Sequence, residues 1–346
     1  MHRQPPAVPP IHTTSFALRP RRAALLIGLA ILTLVILIAL AGGRDVVTAM
    51  TNVKLGWIGL AVLIHYSGFA VRGMRWQQLL RVMGHKLSWR YSTALLLSGW
   101  FVSALLPARA GDLLRVTLLR LDHREHAPVA IADSFGSIVL ERILDLIALL
   151  LLGATVGGIV LQGQLPNWVL MAYGVAVAAL TAIGAGLLLL PVWLKRLERW
   201  SQHTLWQTLL QFAHGVVTSL RTLATHPMMT VLVLIESIYI WLCDALLMWL
   251  VLKAMGVAAT FGAIAFVALT VDIFAAVPVT PGGIGQIEAV NAALFALLPL
   301  PPFNIAAAVL INRAISYWSF LLFSGIVTFA AGIGQLVMQT RRTEKQ

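Results

Sequence analysis

Three charged residues interrupt a stretch that is otherwise fit for the interior of a membrane. Ser137–Leu149 reads S-I-V-L-E-R-I-L-D-L-I-A-L, with Glu141, Arg142 and Asp145 as its charges. Glu141 and Asp145 are four apart and share a helix face, and Arg142, three before Asp145, can reach it. A charge at bilayer depth costs about 2.5–3.5 kcal/mol on insertion scales, so each should pair or face protein or water. One chemistry is a buried ion-pair network that pins helices together. Another is anion capture, because a guanidinium suits forked recognition of phosphate oxygens, and Arg313 is a second arginine in apolar surroundings. Two breaks supply a complementary feature: Pro107-Ala-Arg109-Ala-Gly111 and Pro278-Val-Thr280-Pro281-Gly282. With Gly283 and Gly285, the second lets a helix begin inside the membrane, where free backbone N–H groups and the helix dipole favour an anion. Gly111 opens an equivalent helix, with Arg109 and Arg115 close by. Glu288, one to two turns into the second half-helix, is placed to pair with an arginine or to bind a cation or proton.

Other polar residues point less sharply. Glu236 and Asp244, with His65 and Asp272, fit either a polar cavity lining or satisfied interhelical pairs. His123-Arg-Glu-His126 has the spacing of two metal ligands, but a site needs more, and a solvated loop is the plainer reading. Arg72-Gly-Met-Arg75-Trp76 and Lys195-Arg196-Leu-Glu-Arg199-Trp200 read as interfacial basic–aromatic anchors on lipid headgroups. Nothing with the spacing of a Ser–His–Asp or Cys–His nucleophile, a P-loop or HExxH is present, so the sequence points to no enzyme, cofactor or metal.

The elements that must position these residues are membrane spans. Of 346 residues 59% are hydrophobic and 11% charged, and mean hydropathy is +0.88; ordinary soluble domains carry about 25% charged residues. One cysteine, Cys243, excludes a disulfide framework. The net charge of +12 lacks the aromatic interleaving of a nucleic-acid surface and fits cytoplasmic loops instead. Spans are expected at Ala23–Ala41, Leu55–Val71, Ala130–Leu161, Trp168–Pro191, Met228–Leu252 and Phe303–Leu336. Tyr91–Leu106 and Phe261–Val277 each run into a Pro/Gly break and then another helical run. If both turn back as re-entrant hairpins, and the N-terminus is cytoplasmic, twenty of the 25 Lys and Arg lie on the cytoplasmic side. Only Arg44, Lys54 and Lys253 lie outside, with Arg142 and Arg313 in the membrane. The expected fold is an all-α polytopic membrane protein with six full spans and two re-entrant hairpins, both termini cytoplasmic, in the inner membrane. Residues 1–22 read as a disordered tail, 23–336 as one transmembrane domain, and 337–346 as a second tail.

The scarce polar residues also repeat. Pro107 and Pro278, Gly111 and Gly282, and Arg142 and Arg313 are each 171 apart, as are Asp133 and Asn304, Glu141 and Asn312, and Asp145 and Ser316. The implied unit is helix, hairpin, helix at 55–162 and again at 228–336, with a linking helix at 168–191. Three crossings separate the copies, so they are inverted, a transporter signature when broken helices meet near the midplane.

In this order, Arg72-x-x-Arg75-Trp76, Pro107-x-Arg109-x-Gly111-Asp112-x-x-Arg115, Glu141-Arg142-x-x-Asp145 and Pro278-x-Thr280-Pro281-Gly282-Gly283-x-Gly285-x-x-Glu288 resemble the transmembrane, flippase-like domain of lysylphosphatidylglycerol synthases and its stand-alone relatives. The likeness runs from about residue 25 to 335. It implies lipid translocation and places substrate handling on Arg142, Glu288, Asp145 and Arg115. Ser103 departs from the Asn common there, and an end at Gln346 leaves no room for an aminoacyltransferase domain, so synthesis is not carried over. The expected substrate-binding set is Arg109, Arg115, Glu141, Arg142, Asp145, Thr280, Gly282, Gly283, Glu288 and Arg313, in a flippase-like carrier of a phosphate-bearing lipid such as a phospholipid, an aminoacyl-phospholipid, or a polyprenyl- or hopanoid-type lipid. Membrane lipids are the expected partner, with a separate lipid-modifying enzyme as a second and no nucleic acid. The competing readings are a proton-coupled anion transporter using Glu288 or Asp145, and a non-catalytic scaffold for a lipid-modifying enzyme. An intramembrane hydrolase using Glu141 and Asp145 ranks last, since the adjacent arginine would hold both ionised.

Overall fold

The computed structural model describes residues 43–105, 110–121, 128–160, 166–197, 215–276, 281–283 and 285–332, which are helical with no strand among them. Two 28-residue helices, α2 (Leu55–Val82) and α8 (Pro227–Ala254), form the centre. Each ends in a glycine at positive φ, Gly84 at 91° and Gly256 at 75°. The next amide folds back onto the helix, His85 to the Leu80 carbonyl at 2.9 Å and Val257 to that of Leu252 at 3.0 Å, a left-handed cap that only glycine enters without strain. The pair is antiparallel. The Lys54 amide donates to the Ala254 carbonyl at one end (2.8 Å), and Gln78 donates to Glu236 at the other (2.8 Å).

Around this pair the order is α1 (Gly43–Thr51), α3 (Trp89–Leu105), α4 (Ala110–Leu121), α5 (Ile131–Val160), α6 (Asn167–Leu197) and α7 (residues 215–224). The chain then follows α9 (Phe261–Ala275), a single 3₁₀ turn Pro281–Gly283, and α10 (Gln286–Phe295). Last come α11 (Pro302–Arg313), a π-helical stretch Ala314–Ser319 and α12 (Phe320–Ala330), which together make one rod. At about 1.5 Å per residue, α3, α4, α9 and α10 reach roughly 15–25 Å, short of the about 30 Å of a bilayer core. These are arms of broken pairs, α3 packed on α4 and α9 on α10. Where α3 and α4 cross, a Cβ on Gly111 would collide with the Gly99 carbonyl, so this glycine serves close approach.

Element starts recur along the chain: α8 begins 172 residues after α2, α9 begins 172 after α3, and α11 begins 171 after α5. The matching helices α2 and α8 run in opposite directions. Among the described residues, four helices are long and apolar enough to cross a membrane: Leu55–Val82, Asn167–Gly186, Pro227–Ala254 and Pro302–Ala330. Large apolar side chains such as Leu63, Met171, Met228, Leu322 and Phe329 are left exposed, as an acyl-chain environment requires and water would penalise. The protein is an all-α, multi-pass membrane protein.

Two expectations change here. The Leu55–Val71 span continues unbroken to Val82, because nothing between them breaks a helix; the stop is Gly84. Arg72, Arg75 and Trp76 are therefore not interfacial anchors but lie inside the protein, each under 5% exposed. The expected Ala23–Ala41 span, both tails, Arg109, Thr280 and the His123–His126 spacing lie outside the described residues. So do the side chains of Lys195 and Arg196, and Glu198–Trp200 altogether.

Candidate functional site

Helical spacing delivers polar side chains to one place. On α2, His65, Arg72, Arg75 and Trp76 follow a seven, three, one rhythm that keeps them on one face. On α8, Ser237, Trp241, Asp244 and Met248 do the same, and the two faces meet. There Arg72 binds Asp244 at 3.0 Å, His65 lies 3.3 Å from the other oxygen of the same carboxylate, and the Arg72 guanidinium sits 5.1–5.5 Å from the rings of Phe69, Trp100 and Trp241.

Behind this layer runs a dry ion-pair network. Arg75 donates to Asp145 and to the Ser237 hydroxyl, both at 2.6 Å, and its guanidinium lies 3.8 Å from Glu141. Arg115 donates to Glu141 at 2.7 Å and stacks 4.0 Å from the Trp76 ring, whose N–H donates to Ser137. Trp241 donates to Asp145 at 3.2 Å. Low local dielectric makes such a network strong when every member is satisfied and costly when one is missing.

In front lies a cavity of about 340 Å³, within the range of small-ligand sites. Both helix breaks reach it, Ser103 and Ala104 from the first pair and Gly282 and Gly283 from the second. The Tyr317 hydroxyl, in the π-helical stretch, donates across to the Ala104 carbonyl at 3.1 Å. Single π turns within α-helices cluster at functional positions. The lining combines apolar and aromatic side chains (Phe69, Trp100, Trp241, Met248, Val271, Phe320) with the polar and charged Arg72, Asp112, Arg142, Asp244, Asp272, Asn291, Asn312 and Arg313.

The two intramembrane arginines are held differently. Arg142 is about one-third exposed (32%), with loose partners: Asp112 at 3.4 Å and Asp145 at 3.7 Å. Arg313 is clamped, its Nε on Glu288 at 2.7 Å and its terminal nitrogen on the Gly282 carbonyl at 3.0 Å. Glu288 lies in the first turn of α10 rather than one to two turns in, and its second oxygen accepts the Gly285 amide at 2.7 Å. The expected free N–H groups at the second break are thus partly filled by the chain's own carboxylate. At the first break Ser103 fills the same role, its hydroxyl accepting the Gly111 amide at 3.0 Å. Gly282 needs its glycine twice over, at φ +60° and against the Tyr317 ring.

Of the ten expected site residues, Arg142, Gly282, Gly283 and Arg313 line the cavity. Arg115, Glu141, Asp145 and Glu288 stand behind the wall as ion-pair partners, and Arg109 and Thr280 lie outside the described residues. Asp272 lines the cavity; His65 and Asp244 line it and are also paired between α2 and α8, so both readings hold for them, and Glu236 is paired with Gln78. Sequence reasoning missed Arg72 and Arg75 as interior partners. The signal was available: Glu141, Asp145, Glu236 and Asp244 in apolar helices outnumber Arg142 and Arg313, so more guanidinium groups had to come from somewhere.

Residues 25–324 match the lysylphosphatidylglycerol synthase TM region. A UPF0104 membrane protein of Methanothermobacter thermautotrophicus is 22% identical over 92% of this chain and 98% of its own length, and a second from the same organism is 25% identical over 84% and 88%. A Haloferax volcanii protein named glycosyltransferase AglD is 24% identical over 92% of this chain, which spans about half (54%) of that protein. With all but the ends of its sequence matched, and four helices of spanning length among its described residues, this chain belongs to the lysylphosphatidylglycerol synthase TM region family of membrane proteins.

Proposed function

We propose that the protein is a carrier, not an enzyme, that moves a phosphate-bearing lipid between the leaflets of the cytoplasmic (inner) membrane, with both termini on the cytoplasmic side. The observation that supports this most is the make-up of the cavity, whose lining joins apolar and aromatic side chains to a guanidinium, Arg142, whose own partners hold it loosely. A headgroup fits about 340 Å³ and a whole lipid does not, so the acyl chains stay in the bilayer while the phosphate replaces Asp112 on Arg142. Arg313 acts one step back: locked to Glu288 and Gly282, it fixes the second helix break rather than binding cargo. Antiparallel matching helices and two broken pairs meeting at one cavity suit rocking of one half against the other. The cargo reading also fits relatives named for lysylphosphatidylglycerol synthesis and for glycosyl transfer, and a separate lipid-modifying enzyme is the matching partner.

The test is leaflet exchange of fluorescent phospholipids in liposomes. Wild-type protein accelerates exchange, and Arg142→Gln lowers it by at least about tenfold, the worth of one charge-assisted contact of 1.4 kcal/mol, while eluting as a folded monodisperse species. Equal exchange by the two proteins would overturn the proposal.

A further inference from the structure

The interior arginines and acids can be matched one to one. Arg72 takes Asp244, Arg75 takes Asp145, Arg115 takes Glu141, Arg142 takes Asp112 and Arg313 takes Glu288. Two acids remain. Glu236 is held by the Gln78 amide and does not line the cavity. Asp272, near the end of α9, does line it, and its carboxylate makes no hydrogen bond or ion pair with any described residue.

Among the described residues Asp272 is the cavity carboxylate without a cation of its own, and a charge in a space of low dielectric is costly to keep. Its charged neighbours are named by the elements around it. From α5 come Arg142 and Asp145, from α8 Asp244, from α10 Glu288, and from α2, across the cavity, His65 and Arg72; Asp112 on α4 and Arg313 on α11 complete the rim. Each guanidinium in that set already has an acid of its own, and of the charges that act on Asp272, Asp244 and Asp145 repel it while Arg72, bound to Asp244, attracts it. A proton neutralises a lone carboxylate at least cost, since it needs no coordination shell and leaves a hydroxyl able to hydrogen-bond in the cavity.

We propose that Asp272 is the proton-binding residue of the cavity, and that its proton travels with the cargo. This rests on the lipid reading for its cargo but not for the proton. A phosphate docked on Arg142 adds negative charge to a space of low dielectric where Asp272 would already contribute one; the two anions are compatible only when Asp272 is protonated. Protonation from one side therefore admits the phosphate, and loss of the proton to the other side expels it. No bond other than the O–H bond of Asp272 is made or broken. The assignment departs from a proton site at Glu288 or Asp145, because both of those are held by arginines at 2.7 and 2.6 Å.

Two measurements test it. The first is leaflet exchange in liposomes from pH 5.5 to 8.5 for wild type, Asp272→Asn and His65→Gln, the last because His65 is the histidine that lines the cavity. The wild-type rate falls with rising pH, by up to about tenfold per unit on the titrating limb. Asp272→Asn, whose amide imitates the protonated acid, varies less than about twofold over the range, and His65→Gln keeps the wild-type slope. A flat wild-type profile, an unchanged slope in Asp272→Asn or a lost slope in His65→Gln overturns the proton assignment and leaves lipid movement standing. The second uses wild-type protein alone. Dicyclohexylcarbodiimide adds to protonated carboxyls, the acid proton passing to a carbodiimide nitrogen, and peptide mass spectrometry finds the adduct on Asp272 but not on Glu141, Asp145 or Glu288. If exchange is absent at every pH the cargo reading fails, and the adduct alone decides: label on Asp272 sustains the proton site, and no label there overturns it.

Discussion

Arg75 is a buried guanidinium that joins two acids and a hydroxyl from two other helices. Its guanidinium holds Asp145 and Ser237 at 2.6 Å each and lies 3.8 Å from Glu141. Consider Arg75→Leu. Glu141 keeps Arg115 at 2.7 Å and is little affected, but Asp145 is left with the Trp241 N–H at 3.2 Å and Arg142 at 3.7 Å. A buried charge stripped of its partner costs about 3–5 kcal/mol, and the two retained contacts set the lower end, about 3 kcal/mol. Asp145→Leu costs a similar amount, since Arg75 then keeps only the hydroxyl and the distant Glu141. The double variant removes both charges, so its cost falls short of the sum by at least about 1–2 kcal/mol. Unfolding free energies come from titrating mixed detergent micelles with dodecyl sulfate and following the fluorescence of the 11 tryptophans. Costs that add to within about 0.5 kcal/mol, or an Arg75→Leu protein as stable as wild type, would refute the reasoning.

Other predictions follow from the same geometry. Gly111→Ala drives a methyl group into the Gly99 backbone and separates α3 from α4, whereas Gly158→Ala meets nothing within 4 Å. The first should lose most of its folded yield, and the second should match wild type or gain up to about 1 kcal/mol in the same titration. Gly282→Ala, strained at φ +60° and pressed on Tyr317, should lower leaflet exchange at least about tenfold while Gly256→Asn, a residue able to enter the left-handed region, keeps it. Trp76→Phe should keep the ring beneath Arg115 but lose the hydrogen bond to Ser137, a cost of about 1 kcal/mol by micelle titration.

Much of the architecture was readable because membranes enforce it. Long apolar runs have to be helices, and the Pro/Gly breaks at Pro107 and Pro278 have to interrupt them, so the spans and broken pairs stood out. The 171-residue spacing of Pro, Gly and Arg pointed to the helix starts that recur at 171 and 172. Which charges face one another was not readable, since that depends on how α2, α5 and α8 rotate about their axes. Arg72 and Arg75 looked like anchors because basic residues near Trp usually mark an interface. Only the missing helix stop before Gly84 and the shortage of partners for Glu141 and Asp145 argued otherwise. The roles of Glu288 and Ser103 were hidden because Glu288 accepts the Gly285 amide at the start of its own helix and Ser103, near the end of α3, accepts the Gly111 amide at the start of α4; an open N-terminus and one closed by a nearby side chain look alike until the side chain is placed. Asp272 drew notice as a polar residue in an apolar helix; that its carboxylate has no ion-pair partner among the described residues could be seen only once the other interior acids had been matched.

The central claim is that the Arg142 side of the cavity receives a lipid phosphate, and native mass spectrometry of the purified protein tests it most directly. Wild-type protein should carry a phosphate-bearing lipid as a mass adduct that survives mild activation, and Arg142→Gln should lose it while Arg120→Gln, outside the cavity, retains it. The same adduct on Arg142→Gln, at wild-type occupancy, would contradict the account.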